Sequence, residues 1–187
     1  MSATALARSI RAGERTSVDV VEAHIAAIER INPGLNAMVR PRFDAARAEA
    51  AAADARVAAA GEAELLPPLL GVPCTIKECF GVEGMPQSSG LLSRAGHIAR
   101  QDATTVGRIK NAGAIILGVS NVSELCMWME SDNRVYGRTN NPYDPTCSAG
   151  GSSGGEASLV AANLNPAARR VAPRRRALDD AGVCDVR

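Results

Sequence analysis

Lysine is one candidate for a catalytic base in this chain, and it occurs only twice, as Lys77 and Lys110. An amine that is removed from water loses its proton more easily and can then accept a proton from a hydroxyl group. Lys77 directly follows the apolar segment 72–76, which predicts a short buried strand and places Lys77 near the core. Lys110 stands late in a predicted helix, where the helix C-terminus and solvent stabilise a positive charge. Lys77 is therefore the candidate general base.

A glycine-rich segment, 150–155, carries two adjacent hydroxyl groups, those of Ser152 and Ser153. The segment is short for a flexible linker, and it leads into an apolar run that predicts a helix. It is a poor phosphate-binding loop, because Glu156 follows it and an acidic residue there would repel phosphate. As a loop at a helix N-terminus, it would present both hydroxyls in a field that favours developing negative charge.

Two other kinds of site have little support in the sequence. The histidines, His24 and His97, stand in unrelated contexts, which disfavours a Ser-His-Asp or Cys-His arrangement. The five cysteines are well separated and include no Cys-x-x-Cys pair. A structural zinc site and a disulfide framework are therefore disfavoured, and reduced thiols are expected.

The composition restricts the class of protein. With 187 residues, 46% of them hydrophobic, the chain is long enough for one domain with a core, and general disorder is excluded. A net charge of +1 and 3% aromatic residues give no reason to expect a nucleic-acid partner. The sequence has neither an apolar run of about 18 residues, as a membrane span would need, nor a secretory signal, so we expect a cytoplasmic protein.

The predicted elements around Lys77 alternate between strand and helix. Strands are predicted over 72–76 and 114–118, and the helix between them is expected to be capped by Asp102 and to run through Asn111. This succession predicts an α/β fold.

The first strong helix is predicted over 17–30. Thr16 is its expected N-cap, with Asp19 three residues further on. The segment 32–34, Asn-Pro-Gly, is expected to end it, because proline removes a backbone donor and glycine allows a positive φ.

The character of the sequence changes at residue 163. Residues 163–187 contain six arginines and three aspartates and show neither strand nor helix periodicity. We therefore expect residues 1–162 to form the domain and residues 163–187 to be a divergent, disordered tail.

Taken in order, five segments resemble the amidase signature family, and the resemblance covers residues 1–162. The segments 123–128 and 136–143, the second of which includes one of the five, are most similar to its fatty-acid amide hydrolase 2 branch and bacterial relatives of that branch. The five segments are Gly71–Glu78, Asp102–Thr105, Asn111–Gly118, Asn140–Tyr143 and Gly150–Glu156.

The resemblance implies hydrolysis of carbon–nitrogen amide bonds in a small-molecule substrate by a Ser-Ser-Lys mechanism that uses no metal or organic cofactor. It implies that Lys77 is the general base and that Ser152, preceded by a cis peptide bond, relays a proton between Lys77 and the nucleophile. Ser153 corresponds to a supporting serine of the loop, and Cys126 falls where the family lines its acyl-side pocket. Ser152, Ser153 and Cys126 are thus the expected substrate-binding residues, and the full-length family implies a homodimer.

The resemblance also implies a mixed sheet flanked by helices, of which this sequence would hold only the N-terminal portion. The family's nucleophile lies downstream of Ser152 in a Gly-Ser-Asp-x-Gly-Gly-Ser pattern, and the usual spacing leads to Arg176. No serine follows Ser158. We therefore expect a truncated, inactive amidase. Two alternatives stay open: the amidase subunit of glutamyl-tRNA amidotransferase, which the segments at 124–128 and 140–143 disfavour, and a non-catalytic fragment or pseudoenzyme.

Overall fold

A computed structural model describes residues 1–61 and 65–166 of the chain. Ten elements follow one another, of which two are short 3-10 turns. The elements are α1 (Ala3–Arg11), α2 (Ser17–Leu35), β1 (Met38–Pro41), α3 (Phe43–Ala59), β2 (Pro73–Lys77), a 3-10 turn (Leu92–Arg94), α4 (Thr104–Asn111), β3 (Ile115–Ser120), a second 3-10 turn (Glu124–Cys126) and α5 (Gly154–Ala161).

The three strands form one mixed sheet in the order β1-β3-β2. β3 runs antiparallel to β1 and parallel to β2, and α4 makes the connection between the two parallel strands. The register pairs Lys77 with Ser120, so β2 and β3 end at the same edge of the sheet. In α/β sheets this carboxyl edge is where ligands bind. The predicted α/β fold with a mixed sheet and flanking helices is confirmed.

Apolar layers cover both faces of the sheet, as the alternation of side chains along β3 requires. Ile115 and Leu117 point into a cluster that also contains Val21, Ile25 and Leu159 from two helices. Ile116, which stands between these two residues, packs on the opposite face of the sheet. The second cluster, on that face, contains Cys74, Ile76, Val82, Val106, Ile116 and Val119. Lys77 therefore ends a strand that is held on both sides.

Helix α2 is longer than predicted and ends at Leu35 instead of near residue 30. Thr16 caps it as expected, with its side chain accepting a hydrogen bond from the Asp19 N–H. Pro33 does not end the helix, because the helix still buries Leu35 beyond it. The end comes at Asn36, whose left-handed φ of 50° allows the chain to turn.

Helix α4 is not capped by Asp102, contrary to the prediction. The helix begins at Thr104, and Ala103 occupies the N-cap position. The Asp102 carboxylate instead accepts hydrogen bonds from the Glu83 N–H at 2.9 Å and from the Lys110 ammonium at 2.7 and 2.8 Å. Lys110 is therefore engaged in an ion pair with Asp102.

The predicted tail falls mostly outside the described residues, which end at Pro166. Within the described portion, Leu164 and Asn165 are buried against the domain. Residues 167–187 lie outside the description, and the expectation of disorder there stays a prediction. No helix in the described part of the chain combines the length and the apolar character needed to cross a membrane.

Candidate active site

The carboxyl edge of the sheet brings Lys77 and Ser152 into direct contact. Lys77 is the last residue of β2, and its Nζ donates a hydrogen bond to Ser152 Oγ at 2.7 Å. The peptide bond between Gly151 and Ser152 is cis, as the resemblance implied. The Ser152 carbonyl accepts a hydrogen bond from the Ser123 N–H at 3.3 Å. The predicted pair is thus adjacent in the fold, although 75 residues separate its members.

The glycines of the 150–155 segment allow the loop to pass very close to other backbone. A Cβ on Gly151 would lie 2.8 Å from the Trp128 carbonyl oxygen, and one on Gly155 would collide with the backbone of Asn121. The Gly154 N–H donates to Ser131 Oγ at 2.6 Å, which holds the start of α5 in place. The positions of Gly151 and Gly155 therefore exclude larger residues for steric reasons.

Ser153, the second expected loop serine, occupies the N-cap position of α5 and is only 5% exposed. Its side chain makes no capping hydrogen bond to the helix. It lies directly beside Ser152 in the chain, and its role in substrate binding stays a prediction.

Glu156, four residues after Ser152, has a buried carboxyl group that we did not predict as part of the site. Glu156 Oε2 accepts hydrogen bonds of 2.8 Å from the Thr75 hydroxyl and from Asn165 Nδ2. Its other oxygen, Oε1, has no hydrogen-bond partner among the described residues. Burial raises the pKa of Glu156, against the opposing hydrogen bonds from Thr75 and Asn165 and the positive charge of Lys77. The carboxyl group is therefore biased towards its neutral form.

A second buried carboxyl group, that of Glu78, holds together the segments that carry Ser88, Ser89 and Tyr136. Glu78 Oε1 accepts hydrogen bonds from the Ser88 N–H at 2.6 Å, the Ser88 hydroxyl at 2.7 Å and the Tyr136 hydroxyl at 2.7 Å. Oε2 accepts from the Ser89 N–H at 2.8 Å. The Ser89 carbonyl in turn accepts from the Leu125 N–H at 2.7 Å. Glu78 is thereby linked to the turn that carries Cys126.

Cys126, the third expected substrate-binding residue, has a partly buried side chain. The hydrogen bond from Cys79 and the positive charge of Lys77 lower the pKa of Cys126 to about 6, while partial burial and Glu78 oppose the shift. The place of Cys126 in a substrate pocket stays a prediction.

Several large apolar side chains around position 126 in the sequence, and that of Phe80, are exposed at the surface. Met127 is 81% exposed and Trp128 is 63% exposed, and Leu125, Met129 and Phe80 are exposed as well. Patches of this kind commonly mark places where an apolar ligand or another protein surface binds. For metal binding, the described residues include no group of three or more His, Cys, Asp or Glu side chains that could hold an ion.

A model of the Amidase family matches residues 19–169, which is most of the chain. The chain belongs to the amidase family. It is 53% identical over 166 residues to fatty-acid amide hydrolase 2-A of Danio rerio, covering 87% of this chain and 31% of that protein. It is 42% identical over 163 residues to a glutamyl-tRNA(Gln) amidotransferase subunit of Alkalilimnicola ehrlichii, covering 87% of this chain and 33% of that one.

The fold of this amidase family member also matches solved structures. A fatty acid amide hydrolase superposes with a TM-score of 0.83 at 26% identity, over 89% of this chain and 29% of that one. The chain therefore spans about a third of the length of the relatives it matches. The predicted resemblance to the amidase signature family is confirmed.

Glu78 and Glu156 are buried groups of the site for which the sequence predicted no role. A sequence signal exists for Glu78, since it follows Lys77 directly at the end of an apolar strand, where a carboxylate needs buried donors. Glu156 opens α5 immediately after the glycines, a position that also suits an ordinary first-turn acid. Only the fold shows that it points inward.

Proposed function

We propose that this chain carries the base and the proton relay of an amidase that hydrolyses carbon–nitrogen amide bonds by a Ser-Ser-Lys mechanism. The observation that carries the proposal is the 2.7 Å contact between Lys77 Nζ and Ser152 Oγ. A base and a relay must lie at hydrogen-bonding distance to exchange a proton. Membership of the amidase family gives further support.

In the proposed reaction a serine hydroxyl attacks the amide carbonyl carbon. Its proton passes to Ser152 Oγ while Ser152 gives its own proton to Lys77 Nζ. When the carbon–nitrogen bond breaks, the same path returns the proton to the departing amine, which leaves an acyl ester on the serine. Water, activated by the same two residues, then cleaves the ester and restores the serine. From the resemblance to the family, this serine is expected downstream of Ser152.

The proposed substrate is a linear amide with an apolar acyl chain, in which Ser152 and Ser153 contact the amide end and Cys126 contacts the acyl side. The similarity to fatty-acid amide hydrolase 2-A supports this class. The exposed side chains of Met127 and Trp128, one and two residues beyond Cys126, offer the apolar surface that such a chain would need.

We further propose that the 187-residue chain does not hydrolyse amides by itself. The family's spacing from Ser152 leads to Arg176, and the sequence has no serine beyond Ser158. Loss of a nucleophile removes the covalent route. The test is an assay of the purified chain with a long-chain fatty-acid amide and with a short aryl amide. Turnover that disappears in Lys77→Ala would overturn this part of the proposal.

A chimaera tests the base–relay assignment independently of that outcome. Residues 1–162 of this chain are joined to the remaining part of fatty-acid amide hydrolase 2-A, and amide hydrolysis is measured. We expect Lys77→Ala to lower kcat by about 10²–10⁴, the usual contribution of a positioned base. Lys110→Ala is the matched control, because this lysine is paired with Asp102. An active chimaera in which both variants retain equal activity would refute the assignment.

The second candidate function is that of an amidotransferase component, which the similarity to a glutamyl-tRNA(Gln) amidotransferase subunit supports at lower identity. It predicts release of ammonia from glutamine only when partner proteins are added. The third candidate, a non-catalytic fragment, predicts no activity in the chimaera as well. Chimaera turnover of a fatty-acid amide without partner proteins would favour the first proposal over both.

The remaining proposals concern the partners and the location of the protein. We propose that the protein is cytoplasmic. We also propose that it binds no nucleic acid, because its net charge is +1 and aromatic residues are few. We also propose that the full-length enzyme is a homodimer, and light scattering on the chimaera measures this directly.

A further inference from the structure

The first backbone amides of α5 are held by partners from other segments of the chain. The first N–H groups of a helix have no partner inside it, and the side chain of the N-cap residue usually accepts a hydrogen bond from one of them. Ser153 is the N-cap of α5, but its side chain makes no capping hydrogen bond. Instead the Gly154 N–H donates to Ser131 Oγ at 2.6 Å, and the Gly155 N–H donates to the Asn121 carbonyl at 3.2 Å. The cap is therefore supplied from outside the glycine-rich segment.

Ser131 also bonds to the other end of that segment. Its backbone N–H donates to the Gly150 carbonyl at 2.9 Å, so one residue contacts the chain both two positions before and two positions after Ser152. The Ser131 carbonyl accepts a hydrogen bond from the Thr139 N–H at 2.9 Å, which anchors Ser131 itself. Ser131 is only 1% exposed, so water does not compete for these bonds.

Close packing between the two segments leaves little room for another arrangement. A Cβ on Gly154 would lie 2.6 Å from Ser131 Oγ and 2.8 Å from Ser131 Cβ. A Cβ on Gly151 would lie 2.8–2.9 Å from backbone atoms of residues 128–130. Because protein interiors are close-packed, a shift at Ser131 would be transmitted to the glycine-rich segment.

This arrangement leaves the hydroxyl of Ser152 to Lys77. Serine side chains close to a helix N-terminus commonly form hydrogen bonds with nearby backbone groups, which would turn the hydroxyl away from another partner. Here Ser131 accepts the hydrogen bond of the Gly154 amide, and Ser152 Oγ lies 2.7 Å from Lys77 Nζ.

We propose that Ser131 is a positioning residue of the amidase site. Its N–H and its hydroxyl hold Gly150 and Gly154, and they thereby keep Ser152 Oγ against Lys77 Nζ. Ser131 acts through Ser152, and no bond forms or breaks at Ser131 itself. The proposal rests on the proposed function, since the relay that Ser131 positions is the one assigned there.

The small number of lysines allows a direct test by nuclear magnetic resonance on the full chain. With a carbon-13 label at lysine Cε, the spectrum contains one signal from Lys77 and one from Lys110, because the sequence has no other lysine. Ser152→Ala removes the partner of Lys77 and so measures how far the Lys77 signal moves when the contact is lost. Ser131→Ala keeps the backbone N–H and removes only the hydroxyl. We expect it to move the Lys77 signal in the same direction and at least half as far, while the Lys110 signal stays in place.

Ser9→Ala is the matched control, because Ser9 is buried and its hydroxyl has no hydrogen-bond partner among the described residues. In this variant the Lys77 signal should coincide with that of the wild type. If Ser152→Ala displaces the signal and Ser131→Ala does not, the positioning role is refuted while the contact between base and relay stands. If Ser152→Ala itself leaves the signal in place, that contact, and with it the proposed function, is refuted as well.

Two further measurements decide the proposal if Ser131→Ala is unfolded by circular dichroism. Ser131→Cys then takes its place, since a thiol sulfur is a weak hydrogen-bond acceptor. Hydrogen exchange on the wild type needs no variant at Ser131. The Gly154 amide is expected to exchange about 100-fold more slowly than an unprotected amide, although it belongs to the first residue of its helix. Exchange of the Gly154 amide at the unprotected rate would overturn the proposal.

Discussion

Replacing Glu78 by glutamine should destabilise the protein strongly, because this carboxylate organises the segments around Lys77. The side chain is completely buried and accepts four hydrogen bonds from three residues, Ser88, Ser89 and Tyr136. Glutamine has nearly the same shape but offers only one acceptor oxygen. Its amide nitrogen would therefore face at least one of these donors.

The size of the effect follows from the number of donors. A hydrogen bond to a charged group contributes about 1.5–3 kcal/mol, and a buried donor left unpaired costs about 1–3 kcal/mol. If the glutamine oxygen takes the Oε1 position, the Ser88 and Tyr136 bonds persist with a neutral acceptor, and the Ser89 N–H loses its partner. We expect the free energy of unfolding to fall by about 3 kcal/mol. Tyr136→Phe removes one donor and leaves the carboxylate its other three, so we expect a loss of about 1–2 kcal/mol.

Urea unfolding followed by far-ultraviolet circular dichroism measures both changes. Fluorescence is a poorer probe, because the single tryptophan, Trp128, is exposed in the folded state. Glu83→Gln is the matched control, since Glu83 is a surface carboxylate on the following segment and should change stability by less than about 0.5 kcal/mol. The reasoning is refuted if Glu78→Gln is no more destabilising than Tyr136→Phe, or if it behaves like the control.

Three further predictions concern the same framework. Burial raises the pKa of Glu156 in the folded state, so its contribution to stability is complete below the unfolded pKa of about 4.3 and is lost as pH rises through the folded pKa. Glu156→Gln should remove this loss of stability with rising pH. Urea unfolding at several pH values between about 4.5 and 7 measures it, and an equal dependence of the unfolding free energy on pH in the variant and the wild type would contradict the prediction. Gly155→Ala should lower stability by about 1–3 kcal/mol through collision with the backbone of Asn121, whereas Gly96→Ala, where the added methyl group meets open space, should not; equal midpoints in urea would show the close approach to be unimportant. Thr16→Ala should cost about 1 kcal/mol by removing the cap of α2, and thermal unfolding should show that Thr16→Ser keeps most of the stability.

Features that depend on local sequence, or on motifs in a fixed order, could be predicted. The Thr16 cap needs only an acceptor side chain and the next helical turn. The strand that ends at Lys77 is an apolar run bounded by breakers, and the approach of Ser152 to Lys77 was implied by the order of motifs along the chain. The end of α2 could not be predicted, because proline propensity competed with the burial of Leu35 and burial prevailed.

Features that depend on contacts between distant segments could not be predicted. The donors to Glu78 come from residues 10, 11 and 58 positions away, and no periodicity shows that they will converge. Asp102 is the predicted N-cap of α4, but its carboxylate accepts hydrogen bonds from the Lys110 ammonium near the end of that helix and does not cap it. In each case the deciding partner becomes adjacent only after the chain has folded.

The strand order of the sheet has a consequence for synthesis on the ribosome. β1 and β2 both pair with β3 and not with each other, and β3 is the last of the three to be made. At translation rates of about 5–20 residues per second, β1 waits several seconds for its partner. Through that interval the nascent chain holds two separated strands with unpaired backbone donors and acceptors, a state prone to wrong pairing between chains. Insertion of β3 between them pairs one side of each strand in a single event. The central strand therefore decides how long the growing polypeptide is exposed to aggregation.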